Sequence, residues 1–206
     1  TYVPHKVARL NLLVGVRNLS FTRRVGLDAL TAVEDVPLGF QVGGLIGHSV
    51  AALGSRDEDM FVSADLFTGV RTRMGIGRLQ MRAEARRLQG SDIWDGLLVS
   101  SRFTNITQLS ARLQYMIRVD WSGTHRQRRP FQLLLGVPEA GIRGFEQSQL
   151  AGAHRLVLHL DERYVMGRPF NLADAGLAVF ADVGRQWAGD VPFGTTTPIK
   201  GSIGFS

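Results

Sequence analysis

Ser49 sits in "GGLIGHSVAALGS", residues 43–55, where an apolar run leads into Gly-His-Ser and then alanine-rich sequence. That order suits a nucleophile elbow, in which a strand turns sharply into a helix and lifts the serine hydroxyl towards a substrate. Ser49 would attack, His154 or His159 would take its proton, and Asp174 or Asp182 would orient the histidine. Against this, Ala51 stands where G-x-S-x-G needs its second glycine, and the helices such a fold requires do not follow downstream. Metal chemistry has less to work with. His154 and His159 are five apart, which fits neither one helix face nor one strand face, and His5, His48 and His125 are scattered. "MGIGRL" at 74–79 lacks both a phosphate-loop lysine and a following helix, so no metal and no cofactor is expected.

A different kind of chemistry lies in Arg143, held between small residues in "GIRGFEQSQLAGAHRLVLHLDERYVM", 141–166. Arg143 belongs to a connection, 138–152, that is long for a hairpin. In "GLAVFADVGRQW", 176–187, Leu177, Val179, Ala181 and Val183 share one parity, while Phe180, Asp182 and Gly184 share the other. An arginine on such a loop can reach an inward carboxylate as a two-pronged pair, which is strong when shielded from water.

The elements that must position these groups read as strands. In "SARLQYMIRVDW" Leu113, Tyr115, Ile117 and Val119 alternate with Arg112, Gln114, Arg118 and Asp120, and "RLNLLVGVRNL", "MFVSADLFTGV" and "HRLVLHLDERY" repeat the rhythm. Ten candidate strands follow: 6–21, 39–53, 59–70, 78–88, 95–105, 110–121, 130–137, 153–166, 175–187 and 198–206. The segment 77–89 has helix-forming composition, but Leu79, Met81, Ala83 and Ala85 alternate cleanly with Arg78, Gln80, Arg82 and Glu84, which predicts a strand. Turns are expected at 54–59, 89–96 and 121–130. Strands of ten or more residues, with arginine and acid mid-strand on the polar face, suit a membrane barrel better than a soluble sandwich.

The chain carries 24 basic and 18 acidic residues, net +6, and no cysteine. The lack of cysteine excludes a disulfide framework, a thiolate metal site and a cysteine nucleophile. The excess charge suits an arginine-lined, water-filled interior. The densest basic cluster, His125, Arg126, Arg128 and Arg129, has only Trp121 nearby, so no nucleic-acid partner is expected and a solvated or lipid-headgroup-facing turn is. No run approaches the eighteen apolar residues of a membrane helix. The chain opens at Thr1, which suggests a removed leader or a piece of something longer. It reads as one domain over 1–206.

"GIRGF" resembles the V-R-G-[FY] loop motif of the BamA/TamA-type outer-membrane barrel superfamily, the bacterial surface antigens and their two-partner secretion relatives. "LHLDERYVM" resembles that family's next strand, L-x-L-E-x-R-[FY]-P, with Asp161 in place of the glutamate, Arg163 matching the arginine and Val165 in place of the proline. "FADVG" matches F-x-D-x-G through Phe180, Asp182 and Gly184. The resemblance is carried by residues 141–187.

It implies an all-β, transmembrane antiparallel β-barrel in a bacterial outer membrane, here about ten of sixteen strands, with the first and last strands and the periplasmic domains missing. Gly141, Ile142, Arg143, Gly144 and Phe145 would form a loop inside the lumen, Arg143 would meet Asp182, and Asp161 and Arg163 would extend the polar network. The implied work is insertion or translocation of client polypeptides without a catalytic group. Lipid, clients, and periplasmic or lipoprotein subunits would be the partners. A passive pore, or the translocator of a fused passenger enzyme, is the alternative among barrels. A soluble α/β-hydrolase using Ser49 is the alternative outside them.

Overall fold

The computed structural model describes residues 6–27, 32–56, 58–127, 132–137, 139–145 and 151–205. Its strands in chain order are β1 (Arg9–Val25), β2 (Val33–Ser49), β3 (Asp59–Arg71), β4 (Gly75–Leu88), β5 (Asp95–Gln108), β6 (Leu113–His125), β7 (Leu133–Leu134), β8 (Ala151–Gly152), β9 (His154–Gly167), β10 (Ala175–Trp187) and β11 (Lys200–Phe205). Nine of them form one sheet in the order β1-β2-β3-β4-β5-β6-β9-β10-β11, with every neighbouring pair antiparallel. Strands β7 and β8 pair only with each other. The fold is all-β. Among the described residues helix is limited to two short 3-10 turns, Ala51–Leu53 and Pro169–Asn171, and none is long and apolar enough to cross a membrane. β1 and β11 each have one neighbour, so the sheet is not closed into a barrel.

Several expected boundaries are corrected. Among the described residues of the segment 130–137, only Leu133–Leu134 is strand, and it pairs outside the nine-stranded sheet. Leu135 packs with Ile142 and Val157 beneath the arginine turn, and Arg155 Nη1 donates to the Leu134 carbonyl, so the segment is spent on the loop rather than on the sheet's ladder. Residues 128–131, with Arg128 and Arg129, lie outside the described residues, as do His5 and the 146–150 part of the arginine loop. The turn expected at 121–130 begins only after His125, because Ser122 and Thr124 continue the inward polar alternation of β6. The second strand is Val33–Ser49 rather than 39–53. β1 runs on to Val25 and supplies ladder partners back to Val33, past Pro37 and Gly39, which read as breakers in isolation. Segment 77–89 is strand β4.

The two ends of the sheet differ. At one, the connections 72–74 and 109–112 are tight, and Ser110 Oγ accepts from the backbone N–H of Arg112 and Leu113 at 3.2 and 3.0 Å. At the other lie the longer connections 50–58, 89–94, 126–150 and 188–199. A small apolar cluster of Leu27, Val36, Ile76 and Ile106 sits on the concave side near the short-turn end, and Arg163 Nη1 donates to the Leu27 carbonyl there.

The sheet is inside out by the standard of a soluble protein. On β9 Arg155, Val157, His159 and Asp161 are buried on the concave face, while Leu156, Leu160, Tyr164 and Met166 are exposed on the other. β6 buries Gln114, Asp120, Ser122 and Thr124 and exposes Tyr115, Ile117 and Trp121; β10 buries Asp182 and Gln186 and exposes Leu177, Val179 and Val183. About twenty large apolar side chains line the convex face. At roughly 1 kcal/mol each for the exposed half of their area, leaving them in water would cost more than the 5–15 kcal/mol by which domains are usually stable.

Candidate functional site

Arg143 enters the concave face from the long-loop end and is fixed there by the wall of β9 and β10. Its Nε and Nη2 donate to Asp182 Oδ2 and Oδ1 at 2.8 and 2.6 Å, and its backbone N–H donates to the same Oδ2 at 2.9 Å. The remaining guanidinium prong, Nη1, donates to Asp161 Oδ1 at 2.7 Å. The guanidinium carbon lies 3.8 Å from the centre of the Phe180 ring, a cation–π contact. Hydrogen bonding to Asp182 above all, with Asp161 beside it, outweighs burial and raises the Arg143 pKa beyond its ordinary value, so the loop's cation is permanent.

The loop motif has a steric logic at each position. A Cβ on Gly141 would overlap the Leu135 carbonyl and the Val137 backbone nitrogen, because Gly141 and Ile142 donate back to Val137 and Leu135 at 2.9 Å in a tight return. Ile142 is buried with Leu135 and Val157, and Phe145 packs against that cluster. Gly144 has φ +82°, a left-handed conformation that side chains resist. Small apolar residues thus seat the turn and leave Arg143 as its one long, charged projection.

The wall motif is its complement. Phe180, Asp182 and Gly184 all face inward on β10, as platform, partner and gap. A side chain at Gly184 would stand 3.2 Å from Ile142 Cδ1, 3.0 Å from Val157 and 3.0 Å from the Leu156 carbonyl, so glycine there makes room for the loop's isoleucine. A Cβ on Gly204 of β11 would strike the Phe180 ring, which lies flat across that strand.

Beyond Asp182 the polar contacts cross the sheet. His159 is fully buried, with Nδ1 2.9 Å from Asp182 Oδ1 and Nε2 3.5 Å from Asp120 Oδ2. Asp120 in turn meets Arg102 Nε at 2.6 Å and Arg118 Nε at 2.9 Å, and Arg102 Nη2 reaches back to the Glu139 carbonyl of the loop at 3.1 Å. Charges on β5, β6, β9 and β10 are therefore linked to both limbs of the loop.

The structure brings Arg143 to Asp182, Asp161 and Phe180, and Ile142 to Gly184. It does not bring Arg163 into that group: Arg163 faces inward but is bonded to the Leu27 carbonyl. His159 and Asp182 do meet, as the hydrolase alternative pairs them, but beside Arg143 and Asp120, while Ser49 is bonded to Asp59. Asp120, Arg102 and Gly204 are not picked out as partners by the sequence. Asp120 and Arg102 are legible as inward by parity, but parity alone does not say which inward residues meet. Ser49 is a strand residue whose hydroxyl bonds the Asp59 carboxylate and carbonyl and lies within reach of the Asp59 N–H, and Asp59 also holds Arg9. Only the 3-10 turn Ala51–Leu53 follows it, and among the described residues its hydroxyl is bonded to Asp59 rather than to a histidine, so the elbow geometry is absent. Among the described residues no group of three possible ligands could hold a metal.

Compared with family models, curated proteins and solved structures, the chain matches none.

Proposed function

We propose that the chain is part of a transmembrane β-barrel of a bacterial outer membrane that inserts or translocates polypeptides. The observation that carries this reading is the inverted sheet, apolar outside and charged within. Lipid would cover the convex face, and the cost of exposing it to water would vanish. On β10 the exposed apolar face runs from Leu177, beside Tyr164, to Val183, with Arg185 beyond it over the Trp187 ring. That is roughly 20 Å of strand, the middle of an apolar band, with a charge and an aromatic at its rim. Tyr115 and Tyr164 lie towards the short-turn end and Trp94, Trp121 and Trp187 towards the other, as interfacial girdles would. The short turns would then be periplasmic and the arginine loop would descend from outside.

A lumenal loop clamped to one wall would brace the barrel while a strand edge, such as those of β1 and β11, accepts an extended client by main-chain pairing. A passive pore or a passenger's translocator would use the same frame. The Arg143–Asp182 clamp and the resemblance of "GIRGF" and "FADVG" favour polypeptide handling.

Two assays on the full-length protein in lipid vesicles test the reading. Spin labels at 78–83 on β4 should alternate, with oxygen reaching 79, 81 and 83 and a water-soluble nickel chelate reaching 78, 80 and 82; equal chelate access on both faces would end the barrel reading. The vesicles should also accelerate assembly of an unfolded outer-membrane polypeptide over empty vesicles, and Asp182→Ala should remove most of that gain. A working barrel without acceleration would leave the pore.

A further inference from the structure

The loop does not fill the concave face. Between its Ala140 and the wall of β2 to β6 a cavity of about 420 Å³ remains, within the roughly 300–1,000 Å³ of small-ligand pockets. The charges of its lining cancel. Arg82 is paired with Asp65 at 3.8 Å and with Glu84 at 3.9 Å, and Arg102 with Asp120 at 2.6 Å. Two arginines and two aspartates therefore leave no net charge to draw in an ion of either sign.

What the lining leaves uncommitted is an aromatic face and two amides. β3 and β10 turn Phe61, Phe67 and Phe180 inward. Arg9 and Arg86 lie over Phe61 and Arg143 lies over Phe180, but among the described residues no guanidinium lies over Phe67. Gly69, two residues on, makes room for this ring: a Cβ there would stand 3.2 Å from Phe67 Cζ. The ring thus leans along its own strand, with its open side on the cavity. Register sets Gln41 of β2 and Gln80 of β4 directly on either side of it. Both glutamines line the cavity and are exposed, and neither side chain has a hydrogen-bond partner among the described residues. At about 4.8 Å between strands the two amides stand roughly 10 Å apart across the ring, the span of one sugar ring with a hydrogen bond at each edge.

We propose that this cavity binds a neutral, soluble saccharide, with Phe67 as the platform and Gln41 and Gln80 as the flanking hydrogen-bond groups. A pyranose carries C–H bonds on its faces and hydroxyls around its edge. The C–H bonds suit an aromatic face. Each hydroxyl both donates and accepts, as a carboxamide does and an ionised carboxylate or a guanidinium does not. Asp65 and Arg82, one inward step away on β3 and β4, add an acceptor and a donor at the rim of the site. Lipid covers the convex face and not this one, so the ligand is a free sugar rather than a lipid-borne one. The inference rests on the barrel reading for that enclosure and adds a ligand to it, since bracing a loop needs no open aromatic ring.

The test is saturation-transfer NMR on full-length protein in lipid nanodiscs, with maltose, sucrose and diacetylchitobiose as probes. At least one should receive saturation on its C–H protons and titrate to saturation. Phe67→Leu keeps an apolar side chain without the ring and should weaken that binding about fivefold. Gln80→Ala should weaken it about threefold, Phe67→Tyr should keep it, and Arg168→Glu on the exposed β9–β10 turn should leave it unchanged. No transfer to any of the three sugars, equal binding in wild type and Phe67→Leu, or transfer only to an unfolded peptide would overturn the proposal. Spin labels at 78 and 79 on β4, in parallel preparations, separate these failures from failure of the barrel itself and report whether each variant folds.

Discussion

Two clusters on the concave face are built from the same three residue types. Arg143, Asp182 and Phe180 join a loop to the wall; Arg9, Asp59 and Phe61 join the wall to itself. In both, arginine meets aspartate through two prongs and lies over a phenylalanine, at 3.8 Å for Arg143 and 5.0 Å for Arg9. They differ in what else holds the partners. Arg9 and Asp59 sit on β1 and β3, each already paired to β2, and Ser49 between them bonds Asp59 as well. Arg143 has no ladder. Its four hydrogen bonds to two carboxylates, with the burial of Ile142 and the bonds of Arg102 and Arg155 to the Glu139 and Leu134 carbonyls, attach the loop to the sheet. Identical chemistry therefore stabilises an existing contact in one place and creates the contact in the other.

The comparison breaks most sharply at Asp182. Asp182→Ala strands the Arg143 guanidinium beside Asp161 alone, and Arg143→Ala strands a fully buried carboxylate. Each should cost about 3–5 kcal/mol and free the loop, read as a lower urea midpoint of the folded protein in vesicles and as new protease cleavage near 143. Arg143→Lys keeps the charge but loses the fork, so roughly 2 kcal/mol should go, with partial cleavage. Gly184→Val attacks the same junction without touching a charge. The added side chain meets Ile142 and Val157, at a cost of about 1–3 kcal/mol, and the loop should again become cleavable. Arg9→Ala is the smallest. Ser49 and Arg86 remain near Asp59, so about 1–2 kcal/mol should be lost from the β1–β3 end while the loop stays protected. A loop released by Arg9→Ala would mean that the two clusters act as one.

Much of this was legible because period two is written directly into β6, β9 and β10: Tyr115, Ile117 and Trp121 against Gln114, Arg118 and Asp120 can only split between two faces. The loop motif was legible because glycine brackets a lone arginine. What alternation could not give is distance across strands. The spacing leaves His154 or His159 to pair with Asp174 or Asp182; register chooses His159 opposite Asp182, and sets them beside Arg143 rather than Ser49. Arg163 shares the parity of Asp161, two residues away, but that step along the strand carries it towards the Leu27 carbonyl instead. The segment 130–137 misled for the opposite reason: its apolar run satisfies a strand by composition, while contacts of Leu135 with Ile142 and of the Leu134 carbonyl with Arg155 hold it in the loop.

The absence of cysteine makes one measurement decisive for the loop. Ile142→Cys and Gly184→Cys leave the Arg143–Asp182 pair intact and put two thiols where the Ile142 side chain now meets the glycine gap. In full-length protein in native membranes, a short bifunctional thiol reagent should link them efficiently, with no linkage in either single variant and little after Asp182→Ala is added. Failure to link, with both thiols shown to react with a small maleimide, would mean that the arginine loop is not fastened to the β10 wall.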